Sequence, residues 1–290
     1  MFPPRRSFDV PLAGGAVLRL GSRPLVMGIL NVSPDSFAEA VPRRDVGEAL
    51  EAALAMEAAG ADLVDIGGES TRPGAEPLPE AEELVRVVPV VQAAAARLRI
   101  PLSIDTYKAG VARAALDAGA AIVNDVSGLR REPALARVVA ERGAALIVMH
   151  SRGTPQTMAD EAVYADLIGE VIAELQAAVA AAAAAGVDRE RVIVDPGIGF
   201  AKHAVHSYGV LARLPEIATA LGRPVLVGPS RKSFMREALD GRPPAERDWG
   251  TAAAVAAAVL AGAHIVRVHA VAEMVQVVRV AEEIRKQGCI

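Results

Sequence analysis

The chain of 290 residues is poor in cysteine and aromatic residues, lacks an excess of charge of either sign, and has no long uninterrupted apolar run. Its one cysteine, Cys289, stands at the penultimate position, so no disulfide can form within the chain. That fits a reducing compartment, and a cytoplasmic protein is expected. Basic and acidic residues number 31 and 35, well mixed, for a net charge of −4. A broad nucleic-acid footprint needs a basic face, which this balance argues against. The N-terminal MFPPRRSFDVPLAGG carries charge but no continuous apolar core, so it does not read as a signal peptide. No window reaches the roughly 18 uninterrupted apolar residues of a membrane helix. The nearest is the alanine tract Ala177–Ala185, weakly apolar and flanked by Glu174, Gln176 and Asp188. Neither nucleic acid nor membrane is an expected partner.

What is abundant is small and aliphatic. Apolar residues make up 52% of the chain and aromatics only 3%, so alanine and valine fill the core and helices can pack closely on a parallel sheet. Residues 8–20, FDVPLAGGAVLRL, alternate around Gly14-Gly15, a hairpin signal. Strand patterns follow at Leu25–Leu30, Leu63–Ile66, Leu102–Ile104, Ala121–Val123, Ala145–Met149, Val192–Val194, Val225–Val227 and His264–Val268. Between them lie helical patterns at Val46–Ala59, Ala81–Leu98, Ala109–Ala118, Glu132–Glu141, Asp160–Ala185, Val205–Leu221, Gly250–Ala261 and Ala272–Lys286. Gly60, Gly119, Gly143, Gly186, Gly222 and Gly262 stand just before the next strand, where helix C-caps favour glycine. This alternation predicts an α/β fold, a (β/α)8 TIM barrel forming a single domain over 1–290, with a hairpin in 1–22 capping one end. An open doubly wound sheet is the alternative.

In such a barrel the chemistry sits where strands end. The stretch RVIVDPGIGFAK shows the pattern: a buried strand delivers Asp195 and breaks into Pro196, Gly197 and Gly199. Asp195 alone reads equally well as a turn or helix cap. The chain repeats the device, however, closing its strands with Asn31, Asp65, Asp105, Asn124, His150, Asp195, Ser230-Arg231-Lys232, and Arg267 with His269. Asp65, beside Gly67 and Gly68, could simply hold its own loop. Arg267 and His269 are two residues apart, so their side chains leave one face of the strand. They suit an anion at the phosphate position common after the last two strands of this fold.

The segments MGILNVSPDSF, DIGGESTRPGA, SIDTYK, NDVSG, MHSRGTP, DPGIGF, VGPSRKSF and RVH, in this order, closely resemble the dihydropteroate synthase family from about Leu25 to Val271. The resemblance implies a TIM barrel, usually a homodimer. It also implies a transferase that joins 6-hydroxymethyl-7,8-dihydropterin pyrophosphate to 4-aminobenzoate with Mg²⁺, releases pyrophosphate, and is the sulfonamide target. It assigns the pterin edge to Asp195, whose carboxylate accepts adjacent N–H donors. The other ring nitrogens fall to Asp105 and Asn124, the carbonyl side to Lys232, and the pyrophosphate to Arg267, His269 and Thr71. Asn31 becomes the Mg²⁺ ligand through a hard amide oxygen. Asp35 and Arg72 organise the closed site, and Phe37, Pro73, Phe200, Lys232 and Ser233 line the aminobenzoate site. The loops from Asn31 to about Pro42 and from Gly67 to about Pro79 are expected to act as lids.

The chain departs from the family pattern in places. Its first loop reads SFAEAVPRR without the usual glycine pair, Ala201 stands where glycine is usual, Ser207 follows His206, Ala270 follows RVH, and Ser151 replaces a methionine. Two rival functions follow. A methyltransferase of the same pterin-binding group would lack the TRPG loop and SRKSF, both present here. A pterin-binding paralogue that makes no product finds support in the altered first loop.

Overall fold

The computed structural model describes residues 2–32, 42–72 and 74–288. Strands β1 (Phe8–Pro11) and β2 (Val17–Leu20) pair antiparallel, Phe8 opposite Leu20 and Pro11 opposite Val17. The reversal is possible because Gly14 and Gly15 take φ of 78° and 86°, a left-handed region open to glycine. Eight further strands form one sheet: β3 (Leu25–Asn31), β4 (Leu63–Gly67), β5 (Leu102–Asp105), β6 (Ile122–Asp125), β7 (Ala145–Met149), β8 (Val192–Asp195), β9 (Leu226–Val227) and β10 (Ile265–Val268). Their order is β8-β7-β6-β5-β4-β3-β10-β9, with every pairing parallel. A parallel bridge between Val194 and Val225, with the Val194 amide donating to the Pro224 carbonyl at 3.0 Å, draws the two ends together into a nearly closed barrel. The open doubly wound alternative is excluded.

The connecting helices are α1 (Pro42–Ala58), α2 (Glu80–Ala95), α3 (Ala109–Asp117), α4 (Ala134–Arg142), α5 (Leu167–Ala184), α6 (Ala204–Ala212), α7 (Leu214–Leu221), α8 (Asp248–Leu260) and α9 (Val271–Gln287). Two differ from the sequence pattern. The single helix expected over Val205–Leu221 is two, because Pro215 opens α7 and has no N–H to continue the ladder. The long helix expected from Asp160 begins only at Leu167, where the Asp166 side chain accepts from the Gly169 amide and caps the first turn. Helix α5 is by length and composition apolar enough to span a membrane, yet Ile168, Val171, Leu175 and Val179 are buried against the barrel.

Two apolar layers follow from strand alternation. Val64, Ile66, Ile104, Val123, Leu146, Val148, Val194 and Val266 point outward into the helices. Leu25, Met27, Leu63, Ile122, Ala145, Ile147, Ile193, Leu226 and Ile265 point inward and meet Val10, Leu12, Leu18 and Leu20 of the hairpin in a second cluster. The hairpin packs over the N-terminal end of the barrel. Each fully buried aliphatic side chain contributes about 1.5–3 kcal/mol. The inward row turns polar at the other end. Two residues on from Leu63 comes Asp65, from Ser103 Asp105, from Ile122 Asn124, from Ile193 Asp195, and from Ile265 Arg267. One alternation therefore builds both the plug and the mouth.

Candidate active site

The polar ends of the inward rows meet in one cluster. Arg267 Nε donates to Asp65 Oδ2 at 2.6 Å, and a terminal guanidinium nitrogen donates to Asp105 Oδ2 at 2.6 Å. Asn124 Nδ2 donates to the same Asp65 Oδ2 at 2.9 Å. Asp65 is fully buried, whereas the Arg267 and Asp105 side chains keep 16% and 10% of their surface exposed. Burial pushes the Asp105 carboxyl up to about 7, against the pull of Arg267 and with a further push from Asp65. The neighbouring carboxylates outweigh the loss of hydration at Arg267 and hold its guanidinium charged.

Gly67 leaves room for this meeting. A Cβ built there would lie 3.7 Å from Asp105 Oδ2 and 3.8 Å from Asn31 Oδ1, so the Asn31 amide oxygen and the Asp105 carboxylate flank one point. A second such point follows β9: a Cβ on Gly228 would lie 3.8 Å from Lys232 Nζ and 3.7 Å from Arg267 Cβ. Lys232 Nζ donates to the Ile198 carbonyl at 2.6 Å and stands 4.5 Å from the centre of the Phe200 ring. Lost hydration brings the ammonium down to about 8, although Asp195 pulls it back up. Asp195 is buried, and its carboxyl is raised by burial against the attraction of Lys232. One of its oxygens accepts the Gly197 amide at 2.7 Å. Gly197 has φ of 69°, and a Cβ there would fall 1.8 Å from the His150 carbonyl oxygen, so only glycine lets this turn close.

His269 is held by a neighbour the strand-end reading included but did not interpret. Ser230 Oγ accepts the His269 amide at 3.1 Å and lies 2.9 Å from His269 Nδ1. The contact holds the imidazole plane in place whether the hydroxyl donates to Nδ1 or accepts from Nδ1–H. Burial, with Arg267 and Arg231 nearby, lowers the His269 pKa to about 3, so the ring is a neutral donor. Arg231 itself has φ of 58° and is clamped by Asp248, both contacts 2.7 Å, fixing the turn that presents Lys232.

A family model described as pterin binding enzyme matches residues 27–269. The chain is 49% identical over 276 residues to the dihydropteroate synthase of Synechocystis sp., covering 95% of each chain. The chain belongs to the dihydropteroate synthase family. Two solved structures of that family superpose closely. The Burkholderia cenocepacia dihydropteroate synthase complexed with 7,8-dihydropteroate is 44% identical, with a TM-score of 0.86 over 99% of each chain. The Xanthomonas albilineans enzyme with 4-aminobenzoic acid is 40% identical, with a TM-score of 0.88 over 97% of this chain and 99% of that one. Like those dihydropteroate synthases, this chain is a transferase of folate biosynthesis.

Of the residues that the dihydropteroate synthase resemblance singles out, Asp105, Asn124, Asp195, Lys232, Arg267 and His269 come together at the mouth, with Asn31 on its rim. Thr71 and Phe200 line one small cleft with Tyr107, Arg131 and Arg152. Arg72 is exposed but near enough to lower the His269 pKa further, and Ser233 is exposed at the start of the turn Ser233–Met235. Asp35, Phe37, Pro73 and Cys289 lie outside the described residues, as does most of the glycine-poor first loop. The departure at Ala201 falls on a backbone with φ of 44°, where glycine would sit without strain. Asp65 corrects the sequence reading: it does not merely hold its own loop but ties Asn124 to Arg267. Its inward register, midway between Leu63 and Gly67, was the available signal.

Other polar groups brace the loops. Lys202 Nζ lies 2.7 Å from His150 Nδ1 and donates to the Phe200 carbonyl at 3.2 Å, tying the loop after β7 to the loop after β8. Lys108 bonds Glu69 at 2.5 Å and also pairs with Glu83, anchoring the start of the TRPG loop.

Proposed function

We propose that this mouth joins 6-hydroxymethyl-7,8-dihydropterin pyrophosphate to 4-aminobenzoate, giving 7,8-dihydropteroate and pyrophosphate, and that the chain works as one barrel unit. The observation that carries the residue assignment is the single hydrogen-bonded cluster of Arg267, Asp65, Asp105 and Asn124, with Lys232 and Asp195 beside it. Asp195 keeps an oxygen with no partner among the described residues and accepts the amino-oxo edge of the pterin. Lys232 faces the carbonyl side. Asn124 and Asp105 take the opposite edge of the ring. Arg267 keeps donors beyond the two it gives to carboxylates, and with the His269 imidazole these receive pyrophosphate oxygens. Phe200 and Ser233, on the Lys232 side, border the aminobenzoate.

The bond that breaks joins the methylene carbon to a pyrophosphate oxygen, and its electron pair leaves with that oxygen. Arg267 and His269 stabilise the charge gathering there, and the Asp105 and Asp195 carboxylates favour the positive charge spread over the dihydropterin. The aniline nitrogen then forms the new C–N bond and loses its proton to water. No side-chain nucleophile is needed. Asn31 offers a hard amide oxygen beside Asp105, a donor set of the kind Mg²⁺ takes up together with phosphate oxygens and water. When bound there, Mg²⁺ would neutralise phosphate charge.

A homodimer and a cytoplasmic location complete the proposal. An apolar groove of about 730 Å³ runs between α6 and α8, lined by Tyr208, Leu211, Phe234, Leu239, Ala253 and Ala257. Trp249 stands 88% exposed at the start of α8. An apolar face of this kind fits a second copy of the chain.

Pyrophosphate release measured with and without 4-aminobenzoate tests the assignment. Release that depends on both substrates, and is lost in Asp195→Asn, is expected. Ligand binding without release would favour the non-catalytic pterin-binding paralogue instead.

A further inference from the structure

Asn124 has a choice that its own side chain cannot make. Its amide carries a donor arm and an acceptor arm, and either could face the ligand. Asp65 removes the choice. Its Oδ2 takes the guanidinium Nε of Arg267 at 2.6 Å, so this oxygen is an acceptor. Only Nδ2 of Asn124 can therefore face it, at 2.9 Å. The Oδ1 arm is turned away, and no described residue donates to it. Asp65 is fully buried, so no water competes for its place from outside.

We propose that Asp65 is a positioning residue which, by fixing the Asn124 amide, makes this side of the mouth demand a hydrogen-bond donor and so selects the reduced pterin. The inference rests on the reading that Asn124 faces the ring edge opposite the carbonyl. In a 7,8-dihydropterin that edge presents N–H at ring nitrogen 8 and a lone pair at nitrogen 1. The fixed amide matches it: Oδ1 accepts the N–H, and the second Nδ2 hydrogen reaches nitrogen 1. In a fully oxidised pterin nitrogen 8 carries a lone pair, which would face the Oδ1 lone pairs. With Asp65 in place the amide cannot rotate to relieve this, because its nitrogen would leave the carboxylate and its oxygen would be turned toward that carboxylate.

The test compares the affinities of 6-hydroxymethyl-7,8-dihydropterin and 6-hydroxymethylpterin by calorimetry. The wild-type protein is expected to prefer the reduced form at least tenfold. Asp65→Asn, nearly the same shape but able to offer either arm, should bring that preference below threefold. Asn124→Ala should do the same, and adding Asp65→Asn to it should change the preference no further. An unchanged preference in Asp65→Asn overturns the inference, as does an Asp65→Asn effect that persists in the Asn124→Ala background. Should Asp65→Asn fail to fold, Asn124→Ala, which leaves the Asp65–Arg267 pair intact, decides alone: a preference still at wild-type level overturns the inference. A wild-type protein that binds neither pterin overturns the pterin reading itself, an outcome distinct from reduced-pterin binding with an unchanged preference.

Discussion

Arg267→Lys isolates what a fork does that a point charge does not. Arg267 reaches Asp65 and Asp105 with two nitrogens, each at 2.6 Å. A lysine ammonium on the same strand keeps the positive charge but cannot present two parallel donors and a third toward phosphate. We expect it to keep one carboxylate and lose one charge-assisted contact, worth about 1.5–3 kcal/mol. At about 1.4 kcal/mol per decade that is roughly a 10- to 150-fold fall in kcat/KM. Arg267→Ala removes the charge as well and leaves two buried carboxylates facing each other. Breaking such a pair costs about 3–5 kcal/mol of stability. The Asp105 carboxyl, already up at about 7, would rise further without Arg267. The alanine variant should therefore be more destabilised at pH 8 than at pH 6, where a proton relieves the repulsion. The assays are pyrophosphate release for kcat and KM, and thermal melting at both pH values. Arg267→Lys within threefold of wild-type kcat/KM, or Arg267→Ala melting like wild type at pH 8, would refute the argument.

The pH profile of kcat/KM should be a narrow bell. Activity falls below about 7 as Asp105 takes up a proton, and falls above about 8 as Lys232 loses one; a flat profile from pH 6 to 9 would exclude both groups. Ser230→Ala releases the His269 ring from its hydroxyl anchor, so kcat/KM should drop about tenfold, near the 1.5 kcal/mol of one charge-assisted bond, while the melting temperature hardly moves. Equal losses in both would mark Ser230 as a packing residue. Gly197→Ala drives a methyl group to within 1.8 Å of a backbone oxygen, so it should yield little folded protein, and soluble expression at wild-type level would contradict the tight turn.

Period-two and helical patterning, with glycine at helix ends, made the strand-helix alternation readable from the order of residues alone. Boundaries failed where a local chemical break interrupts a pattern that apolar spacing continues, at Pro215 and at Asp166. The mouth was readable as polar residues at strand ends, because in a parallel barrel every strand end faces the same way. Asp65 was visible but ambiguous, since a carboxylate followed by two glycines looks alike whether it caps a loop or bonds across the barrel. Ser230 was ambiguous for the same reason, as its partner is 39 residues away.

By itself the sequence determined which residues alternate inward, where each strand stops, and hence the fold and the stock of acids, amides and cations at one end. Which of these groups bond to each other was settled by tertiary structure alone: Asp65, 202 residues from Arg267, holds both it and Asn124, and Ser230 holds the His269 backbone and ring. The physical reason is that periodicity is a property of neighbouring residues on one strand. Partnership among buried polar groups is settled by closure of the barrel, which brings strand ends far apart in the chain within hydrogen-bond reach, where each buried donor must find an acceptor.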